Sequence, residues 1–532
     1  MTPTKRQRVE VYDTTLRDGS QGQGVSFSLQ DKLLIAEALD ALGVDYIEGG
    51  YPLSNPKDAE FFAEVRRRKL SRAKVAAFGM TRRKGVRVRD DEGMKALLAC
   101  RAAAVTVVGK SWDLHVRDVL AVSLGEHLRM IRESVGFLVA AGRECLFDAE
   151  HFFDGWRANA EYAIASLRAA QEAGAGRLVL CDTNGSSLPA QVAEAVRAAA
   201  AAVGAAALGM HAHNDAGLAV ANTLAAVAEG VRHVQGTING IGERCGNADL
   251  TAVLPNLLLK CGYDCLQPGR LAQLTEVSRF VYEVANLNFR DNQPFVGASA
   301  FSHKGGMHVH AVRKNAATYE HMDPALVGNT RRILVSELSG VSNIAATAPR
   351  KFDLAADKPA QRKVLNRVME LEHQGYQFEA AEGSFELLIR RTLGGRWYRP
   401  LWQLDHYRCM ILRRNAREAT TEATVKLAVG EKVQHTVAEG DGPVDSLHKA
   451  LCAALRPHWP CVDRLHLADY KVRVVNTAAE TAAKVRVVID WHDPATGEYF
   501  GTVGVSENII DASWLALLDA IECTVLNEQE KR

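Results

Sequence analysis

The chain has 532 residues, 47% of them apolar and 24% charged, which is too long for one ordinary domain and too apolar for a disordered segment. Its 64 basic and 63 acidic residues are intermixed and leave a net charge of +1, which excludes a basic face for nucleic acid or an anionic membrane and leaves small molecules as the expected ligands. Ten cysteines without a CxxC pair read as reduced thiols, and the longest apolar run, residues 198–210, is mostly alanine and too short to span a bilayer, so a cytoplasmic protein is expected.

Short β-rich runs at 9–12, 44–47, 74–78, 104–108, 144–147, 177–180, 209–213 and 233–237 alternate with helical stretches such as 29–42, 126–141, 158–173 and 217–230. Eight βα units within roughly 260 residues have the size and rhythm of a TIM barrel. An open doubly wound sheet alternates in the same way. The barrel is the preferred reading because polar motifs close nearly every run at its C-terminal end, where barrel active sites are assembled.

The first run ends in Asp13-Thr-Thr-Leu-Arg17-Asp18-Gly19-Ser20-Gln21, an acid and a guanidinium in a loop of small residues. Arg17 keeps its proton and supplies fixed positive charge to a carbonyl or enolate oxygen. The second run ends in Glu48-Gly49-Gly50, the fifth in Asp148-Ala-Glu150-His151 and the sixth in Asp182-Thr183-Asn184-Gly185. The seventh carries Gly209-Met-His211-Ala-His213-Asn214-Asp215, and on a strand residues i and i+2 share a face, so both imidazoles aim into one space. With a carboxylate, for which Asp18 is the candidate, they complete a two-His-one-carboxylate facial set that holds a divalent metal and leaves positions open for substrate. The eighth run continues into Asn239-Gly-Ile-Gly-Glu243-Arg244-Cys-Gly246-Asn247; its glycine spacing is not that of a P-loop and signals only close backbone approach to a ligand.

Beyond about residue 265 the alternation stops. Residues 300–310 read as a polar loop with His303, His308 and His310 beside a Gly pair, and helical patterns resume at 324–338 and 359–371. Residues 266–401 are therefore taken as a linker subdomain, too polar and irregular for a large core of its own. From residue 402 a frame of apolar-Asp-x4-Ala-Leu occurs twice after β-hairpins, at Val444-Asp445 with Ala450-Leu451 and at Ile510-Asp511 with Ala516-Leu517. That pattern predicts a duplicated ββα-type unit over 402–532, a dimerisation or ligand-sensing module without chemistry of its own.

Taken together, Asp13 to Gln21, Glu48, His211-x-His213-Asn214-Asp215 and Gly240-x-Gly242-Glu243-Arg244-x-Gly246-Asn247 resemble the DRE-TIM metallolyase superfamily, in its Claisen-condensing branch of isopropylmalate, homocitrate and citramalate synthases. The resemblance covers essentially the whole chain. Gly109-Lys-Ser-Trp-Asp-Leu-His115, Phe147-Asp-Ala-Glu-His-Phe-Phe-Asp-Gly155, Gln235-Gly-Thr-Ile-Asn-Gly240 and Thr318-Tyr-Glu-His-Met-Asp-Pro324 bring it nearest to the long bacterial citramalate synthases. It implies a barrel over 1–265, a linker subdomain that helps close the active site of the neighbouring protomer, a homodimer, and a C-terminal regulatory domain that binds a branched-chain amino acid, isoleucine in the citramalate branch. It also implies a divalent metal (Mn, Mg or Zn) held by Asp18, His211 and His213, with Asn247 as a weaker ligand. Glu150 and Thr183 match substrate-site positions, His308 matches the linker histidine of the acetyl-CoA chemistry, and Tyr319 a tyrosine near it. One departure is His310, where many relatives carry the Asp that would pair with that histidine.

The implied reaction joins acetyl-CoA to pyruvate. Arg17 donates to the keto oxygen of the metal-held acceptor, and Glu48 orients Arg17 by a charge-assisted hydrogen bond. His308, with Glu150 through water, takes the methyl proton, and thioester hydrolysis releases (R)-citramalate and CoA. Isopropylmalate synthase is the rival within the class: its acceptor, 2-oxoisovalerate, differs by two methyl groups, and a pocket discriminates by about 1–3 kcal/mol per methylene-sized difference. A lyase shares the barrel residues but has no need of the duplicated module, and an amidohydrolase carries its His-x-His on the first strand rather than the seventh. An amino-acid-sensing binding protein without activity is opposed by the complete set of Arg17, Asp18, His211 and His213.

Overall fold

The computed structural model describes residues 6–334, 357–413, 419–475 and 483–531, together with Ile344, Phe352 and Leu354. The chain divides into two compact units, Met1–Phe301 with Met322–Thr330, and Ser302–His321 with Arg331–Arg532.

In the first unit eight parallel strands close a barrel: β1 (Glu10–Asp13), β2 (Tyr46–Gly50), β3 (Lys74–Met80), β4 (Ala104–Lys110), β5 (Glu144–Glu150), β6 (Arg177–Asp182), β7 (Leu208–Ala212) and β8 (His233–Gly236). Pairing of β8 back onto β1, from Glu10 with His233 to Asp13 with Gly236, excludes the open sheet. Alternation along each strand splits the apolar residues between two faces. Val11, Ile47, Val105 and Leu180 pack outward against helix residues such as Ile35, Leu39 and Ala195, while Tyr12, Tyr46, Ala76, Ala104 and Leu146 form a separate cluster that fills the barrel interior. Local signals start and stop the crossover helices. Helix Leu29–Leu42 opens on a reciprocal Ser28 and Asp31 capping box and ends at Gly43 in the left-handed region, and the next, Pro56–Val65, follows an Asn55 cap with proline in its first turn.

Several strands run past their apolar sequence signal. β2 continues to Gly50, β4 to Lys110, β5 to Glu150 and β6 to Asp182, because the ladder persists through the polar residues, as in the pairing of Lys110 with Glu150. Glu48, Asp148, Glu150 and Asp182 are thereby fixed on strand backbone, whereas Asp18 stands on the loop after β1.

Two linker expectations are corrected. The polar loop over 300–310 is instead the short strand β9 (Ser302–His303) followed by helix Gly306–Lys314; the Gly pair that resembled a loop is the cap and first turn of that helix. The helix expected over 324–338 is only a 3-10 turn, Pro324–Val327, ended by Gly328 at φ 72°, where a Cβ would lie 2.1 Å from the Ala272 carbonyl oxygen. The chain then forms β10 (Arg332–Ile333), which pairs in parallel with β9, and 335–338 lies outside the described residues. The helical pattern at 359–371 corresponds to helix Lys358–His373.

The duplicated unit is larger than expected, βββα rather than ββα. β11 (Gln403–Leu412), β12 (Thr420–Val429), β13 (Lys432–Gly440) and helix Pro443–Leu455 are repeated as β14 (His466–Val474), β15 (Val485–Asp493), β16 (Glu498–Ser506) and helix Ile509–Lys531. The missed first strands each carry a register shift at the same place, between Leu404 and His406 and between Leu467 and Asp469. Both strands are largely exposed, so neither shows the apolar alternation of a half-buried strand in sequence. Leu427, Leu447, Leu451, Ile489, Trp491, Trp514 and Leu517 form the core between the two repeats. Helices Lys358–His373 and Glu382–Leu393 bury Val364, Phe385 and Leu388 in a small cluster of linker residues that Val503 of β16 joins. All ten cysteines are free thiols, and no helix among the described residues is long and apolar enough to cross a membrane.

Candidate active site and metal centre

The rim of the barrel is built on a buried network rooted in β1 and β2. Glu48, fully buried, accepts hydrogen bonds from Tyr12 Oη at 2.7 Å, Thr14 Oγ1 at 2.5 Å and Arg17 Nε at 2.7 Å. Arg17 is held in one orientation by this bond, by a 3.2 Å contact from Nη1 to Asp18, and by the Phe78 ring 4.0 Å beneath its guanidinium. Burial works against its charge, but the Glu48 and Asp18 carboxylates outweigh it and hold the guanidinium protonated. The Asp18 carboxyl is likewise pushed up by burial, and Arg17, His211 and His213 overcome that to set it at about 2.

His211 on β7 and His213 just beyond it bring their Nε2 atoms to 3.3 Å, with Asp18 Oδ2 at 3.5 Å and 3.9 Å from them. The strand-eight loop lies against them, because His213 and Asn247 form an antiparallel bridge and Asn214 N donates to the Gly246 carbonyl. Gly246, at φ 87°, is required there: a Cβ would sit 1.8 Å from the Gly240 carbonyl oxygen. Burial, then the neighbouring His211, pulls His213 down to about 4, so this imidazole is neutral at pH 7.

The donor set fits a divalent ion on its own chemistry. One carboxylate and a pair of imidazoles converge at separations compatible with metal–ligand bonds of about 2.0–2.2 Å. Asn247 Oδ1 lies buried beside them with no hydrogen-bond partner among the described residues, an acceptor left for a cation. Asp18, His211 and His213 are the only group of three metal-ligating side chains among the described residues whose donor atoms converge in this way.

A cavity of about 510 Å³ opens above this cluster and is lined by Arg17, Asp18, Phe78, Lys110, Asp148 and Thr183, among others. On its far wall Glu150 is paired with Lys110. Thr183 accepts a bond from His151 N at 2.8 Å through its hydroxyl and one from Arg244 Nη2 at 2.7 Å through its carbonyl, while Arg244 is clamped by Asp215. Asp148 is fully buried; burial, reinforced by the nearby Glu48, pushes its carboxyl up to about 8.

Comparison with known proteins assigns this architecture. Residues 8–281 match the HMGL-like family, 295–376 the homocitrate synthase post-HMGL domain-like family, and 379–525 the LeuA allosteric (dimerisation) domain. The chain is 48% identical to the (R)-citramalate synthase of Aquifex aeolicus over 99% of both chains, and 48% identical to that of Geobacter sulfurreducens over 98% of both. The chain belongs to the citramalate synthase family. The 2-isopropylmalate synthase of Pseudoalteromonas atlantica is 30% identical over 98% of this chain and 97% of its own, so the nearer branch is the citramalate one. Proteins of the HMGL-like barrel type typically depend on a metal, and the LeuA match makes the C-terminal part of this synthase an allosteric and oligomerising domain.

The remaining site residues expected for the family belong to the second unit. His308, exposed on helix Gly306–Lys314, stacks on the ring of Tyr319 with centroids 4.1 Å apart. His303 is paired instead with Glu320 at 3.0 Å, which Arg331 also clamps. Sequence reasoning missed Lys110, Asp148 and Gln235 as parts of the site. All three lie within motifs that carried the family resemblance, but a motif names residue types and not the partner each one meets across the barrel. Asp148 precedes Glu150 by two along β5, the one signal that it shares the inward face.

Proposed function

We propose that this chain catalyses the Claisen-type condensation of acetyl-CoA with pyruvate and the hydrolysis of the resulting thioester to (R)-citramalate and CoA. The observation that carries the reading is the convergence of Asp18, His211 and His213 beside an Arg17 locked by Glu48. Asp18, His211 and His213, with Asn247, would hold a divalent ion (Mn, Mg or Zn), which when bound supplies Lewis-acid polarisation of the acceptor carbonyl. Arg17 donates to the keto oxygen and stabilises the negative charge that develops there, and Glu48 prevents the guanidinium from swinging away. The Thr183 hydroxyl, already accepting from His151 N, has its own hydrogen left to donate to the acceptor carboxylate. His308 takes the methyl proton of acetyl-CoA, backed by the Tyr319 ring, and Glu150, anchored by Lys110, acts through water.

The regulatory half of the proposal rests on a cavity of about 500 Å³ walled by Val444, His448, Leu467, Tyr470, Trp491 and Leu517, between the start of helix Pro443–Leu455 and the second sheet. Its apolar wall suits a branched aliphatic side chain, and isoleucine is the proposed effector. In the duplicate, Trp514 takes the place of His448, and Tyr407 packs against it at 4.7 Å while donating to Asp511, so that cleft is filled. Exposed Met410 and Ile411 on β11 and Val433 and Val437 on β13 support a homodimer through this domain.

The test follows CoA release from acetyl-CoA with pyruvate, 2-oxoisovalerate, 2-oxobutyrate and 2-oxoglutarate, each with and without a chelator. Pyruvate is expected to turn over fastest, and activity to vanish with the chelator and return with added Mn, Mg or Zn. Fastest turnover of 2-oxoisovalerate would instead assign an isopropylmalate synthase. Calorimetric titration with isoleucine and with leucine reads the second cavity, and binding of neither would leave the domain purely oligomerising.

A further inference from the structure

Gln235 lies in the middle of β8, fully buried, and in register beside His211 of β7. Its amide bridges two groups that do not touch each other. Oε1 sits 2.9 Å from His211 Nδ1, and Nε2 donates to Asp148 Oδ1 at 3.2 Å. An amide oxygen only accepts and an amide nitrogen only donates; here Nε2 gives its hydrogen to Asp148 and Oε1 faces the histidine. With the oxygen facing His211, the imidazole proton must sit on Nδ1, and the lone pair of the neutral ring is left on Nε2. That is the atom 3.3 Å from His213 Nε2 and 3.5 Å from Asp18 Oδ2. The reversed amide would turn a donor toward His211 Nδ1 and move the imidazole proton to Nε2, the position where a cation has to bind.

We propose that Gln235 and Asp148 form a buried relay that fixes the tautomer of His211 and so presents Nε2 to a divalent cation; both are positioning residues for the metal site. The inference rests on the reading of Asp18, His211 and His213 as the ligands. His213 makes the contrast: its Nδ1 is buried with no partner among the described residues, so only one of the two imidazoles is set in advance. A partner on the far nitrogen of a ligating histidine orients the ring and raises its basicity, and losing it typically costs about ten- to hundredfold in metal affinity.

The experiment measures Mn2+ binding to the chelator-stripped full-length enzyme, by the electron paramagnetic resonance signal of the unbound ion, with circular dichroism as the check on folding. Gln235→Leu and Asp148→Leu are each expected to weaken binding about ten- to hundredfold. Asp148→Asn still offers an acceptor oxygen to Gln235 Nε2 and is expected to stay within about threefold of the parent, because one neutral hydrogen bond replaces another. The Gln235→Leu/Asp148→Leu double variant is expected to be no weaker than the worse single, since both changes act through the same imidazole proton. Parent-like affinity in folded Gln235→Leu, Asp148→Asn as weak as Asp148→Leu, or additive losses in the double variant would each overturn the relay. A parent enzyme that binds no Mn2+ would overturn the metal reading beneath it, a different result from a parent that binds and variants that do not differ.

Discussion

At the barrel rim Asp18, Glu48, Asp148, His211 and His213 are buried together around a part-buried Arg17, whereas the cavity between the two C-terminal repeats is walled by Val444, Leu467, Tyr470, Trp491 and Leu517. The first region holds charge out of water and satisfies its central carboxylate by neighbours, Glu48 accepting from three donors. The second is apolar, and in the related repeat Trp514, packed on Tyr407, stands where His448 lines the cavity. Orientation is thus over-determined at the rim, whereas in the C-terminal cavity the shape is set by apolar side chains.

The comparison breaks most visibly if its charged half is cut. Glu48→Leu leaves the Arg17 guanidinium buried without its principal partner, and urea unfolding is expected to register a loss of about 3–5 kcal/mol together with loss of activity. An unchanged midpoint would mean that the network is not what holds the rim. Acid probes the same half more gently. His213 falls from 6.5 to about 4 on folding, so the stability of the metal-free protein is full above pH 6.5 and declines as the pH falls toward 4, because the unfolded chain takes the proton first. Asp18, lowered from 3.8 to about 2, continues the decline below pH 4 in the same direction. His213→Asn is expected to flatten the melting-temperature profile between pH 6.5 and 4, where the parent loses at most about 3 kcal/mol.

The apolar half is sharpened by making the clefts alike. His448→Trp copies the filled cleft into the open one; calorimetric binding of isoleucine is expected to disappear, with about 1–3 kcal/mol of stability lost to overpacking. Retained binding would move the effector elsewhere. The smallest effect is expected from Tyr407→Phe, which removes the half-buried bond to Asp511 and costs about 1 kcal/mol in a thermal melt.

Much of this was legible in the chain. The His211-x-His213 spacing put both imidazoles on one face, the Glu48 and Arg17 motifs fell at strand ends, and the repeated Asp-x4-Ala-Leu frame marked both C-terminal helices. What escaped was partner choice and phase. Lys110 opposite Glu150, and Gln235 between His211 and Asp148, are matches across strands far apart in sequence. β11 and β14 were hidden because most of their residues are exposed, which leaves little of the apolar alternation on which strand reading depends.

By itself, then, the sequence determined the kinds of element and the chemical types at their ends, because periodicity and capping are local properties read over a few residues. Only closure of β8 onto β1 decided that Asp18 meets the imidazoles of β7, only the barrel interior that one amide stands between a histidine and an acid, and only the packing of the C-terminal repeat that Trp514 meets Tyr407. Those are distances between distant parts of the chain, and packing alone sets them.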